Sequence, residues 1–327
     1  MYIHPSKENW LGRVDSPTNP LSFRYHQIVS LAEPSNIEID QNRLKTFGLI
    51  GFQCDEGVRR NKGRVGAAEA PDKIRKALSK LPWHLTDVAE LYDVGNIICE
   101  EGKMEDAQKE LGKSVSLLLE KGVKPIILGG GHETFYGHYL GVRESIGPEA
   151  KLGIINIDAH FDMRPYDEQS SSGTMFKQIL DQDSNCNYFV AGIQPSGNTS
   201  ALFETAKQYR VHYVLEEELT FSELERTKGQ LCAFSARQDY IILTLCTDVI
   251  SSAYAPGVSA PSPFGLEPKL VRELIRYITS NGKHLSIDIS EVNPEYDEGE
   301  KTITLAANFI NEALMTSTKP FLPLNRF

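Results

Sequence analysis

The sequence predicts an α/β fold: three layers, α-β-α, built on a mainly parallel central sheet. Two observations carry this expectation. Short apolar runs rich in β-branched residues recur along the chain, among them residues 47–52, 152–157 and 285–289. Each is too short for a helix and reads as a buried strand. Segments with helical spacing lie between them, and alternating strands and helices form parallel sheets covered on both faces. A third observation concerns chemistry. The side chains able to bind metal or move protons stand just after these runs, and in open α/β sheets ligands bind at the carboxyl ends of the strands.

Residues 1–45 are broken by Pro5, Pro17, Pro20 and Pro34. They read as an extension packed on the domain, with one short helix. Residues 46–327 read as a single α/β domain. The run 47–52 is its first strand. Residues 54–66 follow as a long polar loop with Asp55, Glu56, Arg59 and Arg60, either a solvated surface or a ligand-facing segment. Pro71 opens a helix that runs to about residue 80. Residues 91–95 form a short strand and turn. Ala107, Leu111, Val115, Leu118 and Leu119 share one helical face, and Gly122 stops that helix. Residues 125–128 make a strand that leads into Gly129-Gly130-Gly131-His132-Glu133-Thr134.

The run 152–157 is the central strand and ends in Asp158-Ala159-His160-Phe161-Asp162. A loop at 170–174 leads into a helix from Met175. Strands follow at 188–193, 211–214 and 240–245, the last ending in Cys246-Thr247-Asp248. A helix from Pro268 to about residue 280 carries Leu270, Val271, Leu274, Ile275 and Ile278 on one face. The strand at 285–289 runs into Ser290-Glu291-Val292-Asn293-Pro294. A final helix carries Leu305, Phe309, Ile310, Ala313 and Leu314.

A formal charge of -10 argues against nucleic acid as the main partner, because phosphate binding needs clustered Lys and Arg. No apolar stretch approaches the roughly 20 residues a membrane helix needs, and the first ten residues lack the apolar core of a signal peptide. The five cysteines form an odd set without CxxC spacing, which suits a reducing compartment. A cytoplasmic enzyme is expected.

Asp158, His160 and Asp162 alternate, and a strand repeats its side-chain direction every two residues, so all three are expected on one side. Unpaired, such groups resist burial, and a divalent cation resolves the conflict. Parallel strand ends share one edge of the sheet, so His132, Cys246, Asp248 and Glu291 can join them. Two histidines, three aspartates and a thiol can hold two divalent cations. Mixed donors suit Mn²⁺, Zn²⁺, Fe²⁺ or Co²⁺ rather than Ca²⁺. Such a pair makes hydroxide at neutral pH, and the natural reaction is hydrolysis of a polar, planar electrophile. A rival reading takes Gly129–Gly131 as a phosphate cradle between strand and helix, although it lacks the Gly-Lys-Ser/Thr ending of a P-loop.

These motifs, in this order and spacing, resemble the ureohydrolase family of arginases, agmatinases and formimidoylglutamases. The resemblance runs from about Phe47 to the C-terminal helix and implies an arginase-like fold. Three stretches are closest to the formimidoylglutamase branch: Asp55 to Ala67, Arg164-Pro165, and Ser171 to Thr174. That branch uses metal-bound hydroxide to hydrolyse N-formimidoyl-L-glutamate to L-glutamate and formamide in histidine breakdown. The resemblance implies two Mn²⁺ ions, one on His132, Asp158, Asp162 and Cys246, the other on Asp158, His160, Asp248 and Cys246. It implies that Asp162 carries a proton to the leaving amine and that Glu291 orients the amidine. Arg164 is implied to meet a substrate carboxylate, with Arg59, Arg60 and Ser172 as further candidates. The substrate is then a small amidine or guanidine with a carboxylate tail. Relatives commonly assemble into homo-oligomers.

One departure stands out. The family's aspartate pair in the third metal stretch is Cys246-Thr247-Asp248 here, so a bridging carboxylate has become a thiol. A thiolate keeps the charge, but one sulfur replaces two oxygens and moves the preference toward softer metals. Three outcomes follow: a working thiolate-modified pair, a single-metal or slow hydrolase, or a binding or regulatory protein. An agmatinase- or arginase-like activity is the alternative within the family.

Overall fold

The computed structural model describes residues 1–40 and 43–318. The expected boundaries 1–45 and 46–327 run partly over residues outside this set. In chain order the strands and helices begin with β1 (Tyr2–Ile3), α1 (Tyr25–Ile28), β2 (Ser30–Leu31), β3 (Lys45–Gln53) and α2 (Glu56–Arg60). Then come α3 (Ala70–Leu78), β4 (Ala89–Ile98), α4 (Met104–Glu120), β5 (Val123–Leu128), α5 (Thr134–Ile146) and β6 (Leu152–Ile157). The middle of the chain supplies α6 (Met175–Gln182), β7 (Cys186–Ile193), α7 (Ser200–Gln208), β8 (His212–Leu215) and α8 (Leu224–Ala236). It closes with β9 (Tyr240–Cys246), α9 (Pro268–Thr279), β10 (His284–Ser290) and α10 (Lys301–Ser317).

The strands form one 10-stranded sheet in the order β1-β4-β3-β5-β10-β9-β6-β7-β8, with β2 also on β4. Every pairing is parallel except β1 with β4. The apolar runs are continuous because both faces of the sheet are covered. Within a strand the residues alternate between two cores. Ile155 and Ile157 join the core that holds α3, α8, α9 and α10. Ile154 joins the one that holds α4, α5, α6 and α7. The three-layer expectation is met.

Local signals explain most elements. Gly122, at φ +75°, ends the α4 segment, where a left-handed residue is cheap only as glycine. The five apolar positions expected on α9 are all buried. Three features differ from expectation. Residues 54–66 are not one long loop, because Glu56–Arg60 turn into the short helix α2. The strand expected at 91–95 is longer, at 10 residues. The helices α7 and α8 and the short strands β1 and β2 went unread.

The N-terminal segment adds β1 and β2 to the edge strand β4 and is pinned by a buried polar knot. Trp10 Nε1 donates to Asp93 Oδ2 at 2.7 Å. Arg75 donates to Asp93 Oδ1 at 2.9 Å, to Asn96 Oδ1 at 2.7 Å and to the Gly95 carbonyl at 2.8 Å. Arg75 and Asp93 are each 1% exposed. Removing one partner of such a pair leaves the other charge buried and alone. Arg75→Ala is therefore expected to destabilise the protein by about 3–5 kcal/mol, read as a lower denaturant midpoint. A loss below about 1 kcal/mol would show that the knot is not what holds this edge.

Candidate metal centre

The strands β5, β10, β9 and β6 are consecutive neighbours and parallel. Their carboxyl ends therefore make one continuous edge, and each delivers part of a single cluster. The turn after β5 carries His132. Glu291 follows β10. Strand β9 ends on Cys246, with Asp248 two residues on. Strand β6 leads to Asp158, His160 and Asp162.

The three glycines after β5 have a packing reason. A Cβ on Gly130 would stand 1.9 Å from the Cys54 carbonyl oxygen, and one on Gly129 would stand 2.4 Å from Ser290 Oγ. The Gly129 amide donates to Ile289 O at 2.8 Å and the Gly131 amide to Cys54 O at 2.9 Å. The His132 amide donates to Glu291 Oε1 at 2.9 Å. With these amides engaged inside the protein, the basis for a phosphate cradle is gone.

Residues 158–162 correct the strand expectation. β6 stops at Ile157, and Asp162 adopts φ +48°. Strand alternation therefore does not gather these three side chains; a pinned loop does. Asp158 Oδ1 accepts from the His160 amide at 2.8 Å. Asn198, beyond β7, accepts from the Phe161 amide at 3.0 Å and donates to Ala159 O at 2.9 Å. Nothing in the sequence around Asn198 signals that role.

The loop brings the donors together. His132 Nδ1 lies 3.1 Å from Asp158 Oδ2 and 3.0 Å from Asp162 Oδ2. His160 Nδ1 lies 3.2 Å from Asp248 Oδ2 and 3.6 Å from Asp158 Oδ1. Two sets of donor atoms each fall within 4.8 Å of one another: His132, Asp158 and Cys246, and Asp158, His160 and Asp248. Asp158 is common to both. The Cys246 thiol stands in the first set only, whereas it was expected in both. Asp162 stands in neither set and reaches the cluster through His132.

Electrostatics show that this cluster suits a cation. Asp248 Oδ1 is buried without a hydrogen-bond partner. Burial, then Asp158, pushes the Asp162 carboxyl up. Burial and the four surrounding acids, Asp158, Asp248, Glu291 and Asp162, push the Cys246 thiol well up. Burial, Asp248 and Glu133 push Glu291 up to about 8. Burial opposes charge on both imidazoles, yet the carboxylates outweigh it. Asp158 and Asp162 hold His132, and Asp248 and Asp158 hold His160, well above the ordinary range. Crowded carboxylates and a buried carboxylate oxygen without a partner are what a divalent cation would satisfy, so the donor set suits a divalent cation.

Behind His132 runs a buried chain that sequence reasoning missed. Thr244 Oγ1 donates to Asp288 Oδ1 at 2.8 Å and lies 3.0 Å from His132 Nε2. A hydroxyl with its proton on Asp288 can only accept from His132. Nε2 then carries a hydrogen, so Nδ1, which faces Asp158 and Asp162, is the ring nitrogen left to meet a cation once its own proton is displaced. Asp288 is held by His138 Nδ1 at 2.8 Å and Ser290 Oγ at 3.0 Å. The available signal was a polar residue inside an apolar run, at Thr244 and again at Asp288.

A cleft of about 330 Å³ opens over the cluster. Arg164 and Ser172 line it, as expected. Arg59 and Arg60 do not. Arg60 turns to Glu56 and Glu105, and Arg59 turns to Glu56, because α2 rotates both away from the opening. Asn61, Lys62 and Arg64 line it instead. Arg64 bonds to the Val258 and Ser259 carbonyls and lies 4.2 Å from the Tyr296 ring. Among the described residues, no ion pair engages Lys62, Arg64 or Arg164.

Comparison with known proteins finds relatives over nearly the whole chain. The family model described as "Arginase family" matches residues 45–316. A formimidoylglutamase of a Geobacillus species is 57% identical over 315 residues, covering 96% of each chain. One of Staphylococcus aureus is 41% identical, covering 96% of this chain and 100% of its own. The crystal structure of formimidoylglutamase from Bacillus subtilis superposes with a TM-score of 0.79 at 24% identity, covering 96% of this chain and 98% of that one. A Trypanosoma cruzi formiminoglutamase variant solved with Mn²⁺ gives a TM-score of 0.74 at 25% identity, covering 86% and 95%.

Two outcomes are expected. Thr244→Val keeps the volume but removes the hydroxyl that orients His132, and Mn²⁺ affinity measured by calorimetry should fall about 10–100-fold. Mn²⁺ must also displace the protons held on His132 and His160. Affinity should therefore rise with pH through neutrality, with net proton release in buffers of different ionisation heat. A pH-independent affinity would contradict the donor set.

Proposed function

The chain belongs to the arginase family, and from that premise we propose that it is a formimidoylglutamase. It hydrolyses the C–N bond of N-formimidoyl-L-glutamate to give L-glutamate and formamide. One observation carries this reading, the division of charge in the cleft. Its floor is a cluster of carboxylates, imidazoles and a thiol, and its lining includes Lys62, Arg64 and Arg164, three cations that form no ion pair among the described residues. A substrate with a cationic amidine at one end and carboxylates at the other matches both.

The residues divide the work accordingly. His132, Asp158 and Cys246 would hold one Mn²⁺, and Asp158, His160 and Asp248 the other. Bound there, the cations supply Lewis acidity that makes a water yield hydroxide near neutral pH. Manganese is supported by the T. cruzi variant described above. Glu291, at φ +67°, offers its carboxyl to the amidine nitrogens and orients the carbon for attack. Asp162, whose carboxyl is pushed up by burial and Asp158, takes the attacking water's proton and gives it to the amine. The C–N bond then breaks and glutamate leaves. Arg164 and the Ser172 hydroxyl bind the tail, where a guanidinium can make two parallel hydrogen bonds to a carboxylate.

The test is a substrate panel with added Mn²⁺: formimidoylglutamate, arginine, agmatine and guanidino acids, scored for formamide or urea. Formamide from formimidoylglutamate alone is expected. Arg164→Ala removes charged hydrogen bonds of about 1.5–3 kcal/mol. It should raise the KM for formimidoylglutamate roughly ten- to hundredfold, with little change in kcat. Preferential urea release from agmatine, which has no carboxylate, would overturn the assignment.

A further inference from the structure

We propose that Cys54 and Cys99 form a modification site, a cross-strand dithiol that a small disulfide compound converts reversibly into a protein disulfide. Neither residue lies in the cleft. Gln53 and Ile98 are register partners in the parallel pair β3–β4, and the Cys99 amide donates to Gln53 O at 3.1 Å. Cys54 and Cys99 are the next residues on each chain, so they stand side by side. Adjacent strands lie about 4.8 Å apart, inside the usual Cα separation of a disulfide, about 4.4–6.8 Å.

The two thiols stand close enough for each to shift the other. That contact, with burial, pushes the Cys54 thiol up. On Cys99 the same contact outweighs partial burial and holds the thiol below its ordinary range. Cys54 is 1% exposed, whereas Cys99 is half-buried. Exposure and thiolate character thus coincide on Cys99, and the second thiol waits behind it. The other three cysteines lack such an arrangement. Cys232 is exposed, Cys186 sits with Arg143 and Asp183, and Cys246 lies in the metal centre.

The chemistry is thiol–disulfide exchange. The Cys99 sulfur attacks one sulfur of a small disulfide, the S–S bond breaks, and one thiol leaves with the proton that Cys99 gave up. The Cys54 sulfur then attacks Cys99. The mixed disulfide breaks, and the second small thiol leaves with the Cys54 proton. Two protein thiols are oxidised by two electrons, and one small disulfide is reduced to two thiols.

The bond forms directly behind the turn that carries His132. The Cys54 carbonyl accepts from Gly131 N at 2.9 Å and packs against Gly130. The Cys54 thiol lies beside the buried Glu133 carboxyl, whose Oε2 has no hydrogen-bond partner among the described residues. Oxidation removes that thiol and loosens the turn, so divalent-cation affinity falls. This consequence rests on the proposed function, whereas the disulfide does not.

The experiment treats the purified full chain with oxidised glutathione, then maps peptides and titrates thiols after denaturation. The expected result is loss of two of the five thiols, a linked pair of peptides containing Cys54 and Cys99, and full recovery with dithiothreitol. Cys99→Ser should lose no thiol pair. Thiol loss without that linked pair, or pairwise loss persisting in Cys99→Ser, would overturn the site. Mn²⁺ titration is run on both redox forms. Equal affinity refutes the coupling to the turn. No binding by the reduced chain refutes the proposed function and leaves the peptide map to decide the disulfide.

Discussion

Negative charge without a fixed counter-charge governs this molecule's centre. Asp158, Asp162, Asp248, Glu291 and Cys246 meet at the ends of three adjacent strands, β10, β9 and β6, all but Asp162 nearly inaccessible to water. Among the described residues no Lys or Arg forms an ion pair with them, and only His132 and His160 do. Low effective dielectric makes each repulsion larger than it would be at the surface. The chain answers by raising affinity for protons, on Glu291 and Cys246 as well as on both imidazoles. The same crowding would favour a divalent cation, whose charge offsets several carboxylates at once.

The rest of the architecture follows from keeping that cluster buried yet open on one side. Parallel strands with both faces covered bring their carboxyl ends to one edge. Strands β10 and β9 stand between β5 and β6 although they come much later in the chain. The cluster therefore depends on the sheet's longest-range pairing, β5 with β10, and on the non-local pairing of β6 with β9. Two residues of the expected catalytic set, Asp162 and Glu291, hold positive φ without being glycine. Such conformations cost free energy and persist where surrounding contacts over-determine them. The Asn198 clamp beside the 158–162 loop and the Glu291 contact with His132 N supply those contacts.

Much of this was legible in the residues, and for definite reasons. Buried strands announce themselves by short β-branched runs, and the metal ligands sit at the ends of the clearest ones. The helix on α9 was legible because five apolar residues repeat at helical spacing. What could not be read was cross-chain hydrogen bonding. Thr244 and Asp288 looked like strand residues, yet together they orient His132 with Nε2 donating to Thr244 and Nδ1 toward the carboxylates. The direction of Arg59 and Arg60 was also hidden. Both lie on α2, and the chain's charge pattern does not reveal that Glu56 and Glu105 claim them. The cations of the cleft come instead from the turn after α2 and from the residue two beyond Asp162.

That difference in origin separates two functions within one cleft. The donors of the metal centre stand on or just beyond buried strands, where packing from both cores leaves little freedom. Lys62 and Arg164 are exposed, and Arg64 is fixed only by carbonyls and a ring. A loop can exchange such residues at small cost to stability, because surface changes away from packed features usually stay within about 0.5 kcal/mol. A strand end cannot, since each donor there balances the charge of its neighbours. Cys246 fits this constraint from the inside. It offers sulfur at a buried position, and that sulfur lies within 4.8 Å of donor atoms on His132 and Asp158. On the proposed function, a thiolate among nitrogen and oxygen donors would favour softer cations at the floor, while the loops above would set the substrate tail.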